Sequence, residues 1–169
     1  MALSGNFETK FSGGSSGGYY IGVDWKVNSQ SASSNSSNVT ATVYLRTSGN
    51  GYSISSSATK DVSVTINGTK YLSTCTVGIS ANSKKNLFSK TVNVGHDSNG
   101  NKTCSFACAL DINVTLGGTY HGKVSSSGSG TFNQIILNQP PTLSGSVTIS
   151  PSGTIGENTT TLNVDWSDA

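Results

Sequence analysis

Along most of this chain, apolar side chains occupy every second position. In YYIGVDWKVN, residues Tyr19, Ile21, Val23, Trp25 and Val27 fall on one face, with Tyr20, Gly22, Asp24, Lys26 and Asn28 on the other. VTATVYLRT puts Val39, Ala41, Val43 and Leu45 inward, and KDVSVTING does the same with Val62, Val64 and Ile66. Successive side chains of an extended strand point to opposite faces, so a period of two predicts half-buried β-strands. The stretch SQSASSNSSN reads as a polar loop between the first two runs, and TSGNGYS as a turn. Asn67-Gly68 is a strong hairpin signal, returning through TKYLSTCTVGI. NLFSKTVNV follows with Phe88, Val92 and Val94 on one face, and HDSNGN turns the chain. KTCSFACALDINVT reads as one long strand with Cys104, Phe106, Cys108, Leu110, Ile112 and Val114 aligned. GTYHGKV and GTFNQIIL complete a set of eight or nine strands.

No segment shows a helical period, and proline is absent until Pro140. A sheet ladder needs its N–H donors, so this absence fits a strand-rich chain. The expected fold is all-β, an antiparallel two-sheet β-sandwich with jelly-roll or Greek-key connections. SGGSSGG, Ser12 to Gly18, reads as a flexible loop after a first strand. Pro140-Pro141 breaks the pattern and predicts a stiff connector. Residues 1–136 are then the N-terminal sandwich, 137–143 a Pro-containing linker, and 144–169 the incomplete start of a second β domain. Within that last segment, Leu162, Val164 and Trp166 alternate in NVDWSD and its approach, repeating the Val-Asp-Trp of Val23 to Trp25. In both copies Trp is the large inward residue of an early strand. Two strands are too few for an independent domain, so the second copy is expected to open a sandwich that is not completed.

Composition sharpens this picture. Only 33% of the 169 residues are hydrophobic and 11% charged, and Ser, Thr, Asn and Gly make up about half the chain, far above average usage. With concentrated apolar runs and little net charge, this predicts an ordered β protein with a hydroxyl-rich surface rather than disorder. Net charge is +2, too small to point to a nucleic-acid partner. It is uneven: residues 1–143 hold all 10 Lys and Arg against five acids, whereas residues 144–169 hold three acids alone. There is no apolar run of transmembrane length, and MALSGNFETK lacks a basic, apolar leader, so export by that route is not expected. Cys104 and Cys108 lie four apart on one strand, roughly 13 Å at strand rise and too far for a disulfide. With Cys75 they read as small buried hydrophobes.

Candidate chemistry is sparse. His96 and His121 are the two histidines; neither has a Ser, Asp or Cys partner at a triad-like spacing, and His96 reads as a turn residue. No pair of carboxylates is placed together by the pattern, so neither an enzyme nor a cofactor is expected. Asp97, Asn99 and Asn101 alternate as oxygen ligands would, without a closing Glu, and read as an ordinary turn rather than a metal site. Outward aromatics are the remaining candidates, because a ring face stacks on a sugar. Tyr20 and Tyr44 take outward registers on strands expected to be neighbours, with Thr40, Thr42 and Arg46 beside them, and Tyr52 sits in a turn. Trp25 has the core register.

Beyond these local readings, SSATKDVSVTINGTKY, KKNLFSKTVNVGHDSNGNKTCSFACAL and the exit IILNQPPTLSG resemble a family of minor structural proteins of tailed siphoviruses of Gram-positive bacteria. VNVGHDSNGNKT is the most specific piece, and the resemblance covers residues 1–143. TTTLNVDW is similar to the second strand of fibronectin-III or Ig-like modules, which makes the segment 144–169 the expected start of such a module. The exit departs from the family, with Pro-Pro-Thr-Leu where Pro-Arg-Ala-Ser is common. The resemblance implies a virion component made in the host cytoplasm, at the tail tip or on a fibre, whose partners are other phage tail proteins and copies of itself. Host cell-wall glycan is the expected ligand if the role is adhesion, with Tyr20, Tyr44, Arg46 and Tyr52 as its contacts. The alternative is a passive spacer whose receptor-binding part lies beyond residue 169. The boundary reading makes its own prediction: limited proteolysis cuts first between Leu137 and Ser144 and leaves a resistant N-terminal core. First cuts between Val39 and Val114 are the result that overturns it.

Overall fold

The computed structural model describes residues 3–12 and 17–137, which belong to a compact unit spanning Met1–Asn138. The centre of the expected Gly/Ser loop, the Pro140-Pro141 linker, and the module expected over 144–169 with Trp166 lie outside the described residues. Among the described residues there is no helix. The strands are β1 (Ser4–Lys10), β2 (Tyr19–Ser31), β3 (Ser36–Thr47), β4 (Thr59–Ile66), β5 (Thr69–Thr76), β6 (Lys84–Gly95), β7 (Thr103–Leu110), β8 (Val114–Leu116), β9 (Thr119–His121) and β10 (Val124–Thr131). One antiparallel sheet runs β1-β2-β3-β6 and the other β10-β7-β4-β5, with β8 and β9 as a separate hairpin. The all-β sandwich expected from the alternation is what forms. Strand β7 returns to lie beside β4 after the chain has passed through β5 and β6, a Greek-key connection.

The core lies between the sheets and takes the inward residues read from the sequence. Ile21, Val23, Val39, Ala41, Val43 and Leu45 from one sheet meet Val62, Val64, Ile66, Cys104, Phe106, Cys108 and Leu110 from the other, all buried. The three cysteines are free thiols. Burial pushes Cys104 up to about 11 and Cys108 up to about 12, leaving both as inert hydrophobes at neutral pH. Cys75, expected buried, is half-buried on edge strand β5.

Trp25 is the largest side chain between the sheets. Its ring stacks on Phe106 at 5.4 Å between centroids and 10° between planes, and meets Phe132 at 5.7 Å. The indole fits because glycines stand where side chains would collide. A Cβ on Gly5 would lie 2.7 Å from the indole and one on Gly130 2.2 Å from it. Across the seam Phe7 occupies the space a Cβ of Gly128 would need, at 2.7 Å. The two edge strands β1 and β10 therefore close over the aromatic centre by having almost no side chains there.

That packing explains the main departure in the strand assignments. GTFNQIIL, expected as the last strand, is strand only at its first residues. The Gly/Ser run VSSSGSGT before it is β10, paired along its length with β7 from Val124↔Leu110 to Thr131↔Thr103. After β10 the chain is pinned by Phe132 N–H to Lys102 C=O at 2.9 Å and Ile135 N–H to Gly100 C=O at 2.8 Å. The polar loop SQSASSNSSN is likewise mostly strand: Ser29, Gln30 and Ser31 pair with Asn38, Ser37 and Ser36 beyond a bulge at Asn28. Hydrophilic side chains hold this extension, with Asn28 Nδ2 donating to Asn38 Oδ1 at 2.9 Å and to Thr40 Oγ1 at 2.8 Å. Finally, KTCSFACALDINVT is two strands. Asn113 adopts φ 46°, a left-handed conformation that asparagine tolerates and an extended ladder does not.

Removing the indole leaves a cavity between the sheets. Trp25→Ala is therefore expected to cost about 3–5 kcal/mol, enough to unfold or nearly unfold a domain of this size, measured by thermal and urea denaturation. Unchanged melting would remove Trp25 from the centre of the core.

Candidate functional site

The outer face of the β1-β2-β3-β6 sheet collects the polar residues that the alternation sends away from the core. Its antiparallel registers set them in transverse rows. Ser4, Lys26, Thr40 and Thr91 form one row, Asn6, Asp24, Thr42 and Ser89 the next. Then come Glu8, Gly22, Tyr44 and Asn86, and last Lys10, Tyr20, Arg46 and Lys84. Apart from Lys26, the first two rows hold short side chains, and there the sheet surface sinks into an open depression of about 460 Å³ lined by Ser4, Gly5, Asn6, Asp24, Trp25, Lys26, Thr40 and Thr42. Hydroxyl pairs order its floor and far side: Thr40 with Thr91 at 2.7 Å and Thr42 with Ser89 at 2.8 Å. Hydroxyls fixed by neighbours lose little rotamer freedom when they bind.

The last two rows form a raised cluster beside the depression. Gly22 is the reason for its shape. A Cβ there would lie 2.6 Å from the Tyr44 ring and 2.4 Å from Phe7 C=O. With only hydrogen on Gly22, Tyr44 lies flat across β2 and its hydroxyl donates to Glu8 Oε2 at 3.2 Å. Glu8 also takes a forked pair of bonds from the Arg46 guanidinium. Lys84 passes over the Tyr44 ring, 3.8 Å from its centroid, and pairs with Asp24. Arg46 lies over Tyr20, 4.0 Å from the ring centroid. These contacts set the ionisation behaviour. The Arg46 hydrogen bond, helped by the Arg46 charge and the Tyr44 hydroxyl, holds Glu8 below the usual carboxylate range against the opposing effect of burial. Burial, with the neighbouring Glu8 carboxylate, pushes the Tyr44 hydroxyl up.

The expected ligand contacts are thus placed as follows. Strands β2 and β3 are neighbours, so Tyr20, Tyr44 and Arg46 come together. Tyr44, however, does not present a ring to solvent: it is only 2% exposed, because one face lies on Gly22 and the other under Lys84. The expectation of a stacking platform there is overturned by that covering. Tyr20 is half-buried, with Arg46 over its ring. Tyr52 follows a turn, as expected, and packs edge-on against inward-facing Tyr19 at 5.3 Å, on the other side of β2 from Tyr20. Asn6, Asp24 and Lys26 were not expected at a site. The available signal was the row order, since a transverse row of small side chains beside a row of large ones makes a hollow.

Two other candidates are ordinary turn structure. His96 Nδ1 donates to Gly100 C=O at 2.7 Å, which leaves Nε2 to accept from Ser37 Oγ at 2.7 Å. Asp97 Oδ1 accepts from the N–H groups of Asn99 and Asn101, at 2.9 and 2.8 Å, closing the HDSNGN turn on itself. Among the described residues no group of three His, Cys, Asp or Glu side chains stands together as metal ligands would.

Comparison with known proteins gives no match among protein-family models, curated proteins or solved structures.

The Glu8 clamp makes a pH-dependent prediction. Its carboxyl is lowered in the folded state, so its stabilising contribution is complete above the ordinary glutamate range and is lost as pH falls through the folded value. Glu8→Gln is expected to cost about 0.5 kcal/mol at neutral pH, the scale of a partly exposed ion pair, and almost nothing at a pH where Glu8 is protonated. Urea melts at both pH values check this, and an equal cost at both removes the clamp.

Proposed function

We propose that this protein is a structural and adhesion-associated module of a tailed-phage virion, and that the depression on the β1-β2-β3-β6 face contacts a neutral host-wall glycan. The resemblance of VNVGHDSNGNKT and its flanking segments to siphovirus minor structural proteins supports the virion role. The depression is the observation that carries the glycan contact. Its walls combine a carboxylate acceptor, an ammonium donor, an amide and fixed hydroxyls, the groups that satisfy sugar hydroxyls. Recognition on this reading runs through hydrogen bonds. Stacking contributes little, because the cluster holds its rings against its own cations.

The same capping of Tyr20 and Tyr44 favours a second reading, the passive spacer. The two are separated by binding of the 169-residue chain to purified Gram-positive cell walls. The glycan reading expects saturable binding that the double change Asn6→Ala plus Lys26→Ala weakens about tenfold, 1.4 kcal/mol, with melting unchanged. Tyr52→Ala, remote from the depression, leaves binding intact. If the unaltered chain shows no saturable wall binding, the spacer reading stands and the depression is not a glycan site.

A further inference from the structure

The chain carries three Asn-Gly pairs, Asn50-Gly51, Asn67-Gly68 and Asn99-Gly100, and each stands in a turn. Such a pair is chemically labile, because glycine has no side chain to shield its amide nitrogen from the Asn side chain before it. The three turns treat the pair differently. Between β3 and β4, Tyr52 N–H donates to Gly49 C=O at 3.2 Å and closes a turn over Asn50 and Gly51. Asn82 reaches across to that turn. Its Oδ1 accepts from Gly49 N–H at 2.6 Å, so its Nδ2 faces Asn50 and donates to Asn50 Oδ1 at 2.7 Å. Gly51 N–H has no acceptor among the described residues, and a Cβ at Gly51 would meet nothing within 4 Å. Asn67-Gly68 is equally open, but no donor among the described residues reaches the Asn67 side chain. At Asn99-Gly100 the nitrogen is occupied: Gly100 N–H donates to Asp97 C=O at 3.0 Å, and a Cβ there would lie 1.9 Å from the Ile135 carbonyl oxygen.

We propose that Asn50 is a site of spontaneous covalent modification, converting to aspartate and isoaspartate through a cyclic imide. The Gly51 nitrogen attacks Asn50 Cγ. The new N–Cγ bond forms, the Cγ–Nδ2 bond breaks, and the Gly51 amide proton leaves with the side-chain NH₂ as ammonia. Water then opens the ring at one of its two carbonyls. Cleavage at the Cγ–N bond gives aspartate, and cleavage at the original peptide bond gives isoaspartate. Attack builds negative charge on Asn50 Oδ1, and Asn82 Nδ2 is a donor already aimed at that atom. The attacking nitrogen has no hydrogen bond to break first. Asn67 lacks the donor, and Asn99 lacks the free nitrogen. The product matters to the surrounding turn. Isoaspartate lengthens the main chain by a methylene just before Tyr52, whose ring fills the space that side chains on Gly18 and Gly49 would need and stands edge-on to Tyr19.

The test is an ageing experiment on the 169-residue chain in mildly alkaline buffer, sampled by peptide mass mapping with isoaspartate resolved chromatographically. Asn50 is expected to convert first, Asn67 more slowly, and Asn99 to stay intact over the same period. Asn82→Asp keeps an acceptor for Gly49 N–H and tolerates the left-handed backbone at that position, φ 50°. It removes the donor to Asn50 Oδ1, and is expected to slow conversion at Asn50 about fivefold, the scale of one hydrogen bond, with Asn67 unchanged. In denaturing urea the three pairs are expected to converge, because the fold makes the difference between them. Asn6→Ala plus Lys26→Ala leaves all three rates unchanged, which keeps this result independent of the glycan reading. Asn67 or Asn99 converting as fast as Asn50, an unchanged Asn50 rate in Asn82→Asp, or the same ranking in urea each overturns the proposal.

Discussion

The stacking of Trp25 on Phe106 is the contact on which the rest of the sandwich depends. It joins β2 of one sheet to β7 of the other across the core, with Phe132 closing the third side. The sheets can approach this closely around an indole only because β1 and β10 contribute Gly5 and Gly130 at the rim. One aromatic side chain thereby fixes the identity of residues on three other strands. It also sets which edges meet at the seam, with Gly5 and Gly130 on either side of the indole.

On the outer face the governing constraint is again a missing side chain. Gly22 lets Tyr44 lie down, Tyr44 brings its hydroxyl to Glu8, and Glu8 ties β1 to Arg46 on β3 across the intervening strand. Charge, ring and strand edge are fastened together in one small cluster. The adjoining rows, mostly Ser, Thr and Asn with Asp24 and Lys26, remain low, and their hydroxyls are paired across β3 and β6.

The inward half of this architecture was legible because apolar residues at every second position name the buried face directly. Trp25, Val43, Val64 and Phe106 are all where that rule puts them. The pattern does not say what covers the other face, and so Tyr44 has an outward register yet is hidden by Gly22 and Lys84. Nor does it register strands whose inward residues are not apolar. β10 faces the core with Ser126, Gly128 and Gly130, and the far ends of β2 and β3 are held by amide and hydroxyl bonds, so both resembled loops. The break after Leu110 was invisible for the opposite reason: Ile112 is buried and keeps the alternation going while the backbone turns at Asn113. The depression was only partly legible, since Thr40 and Thr42 are marked by their register while Asn6 and Lys26 need the strand order.

The antiparallel course of β1 and β10 along the seam has a mechanical consequence. The first residues of β1 and the last of β10 lie at the same end of the sandwich, where Gly5 and Gly130 flank one indole. Tension applied between those two points does not load the strand ladders in shear, with every bond resisting at once. It peels each edge strand from its neighbour, one bond after another, beginning at the Trp25 end. A domain threaded this way is poorly suited to carrying load in line.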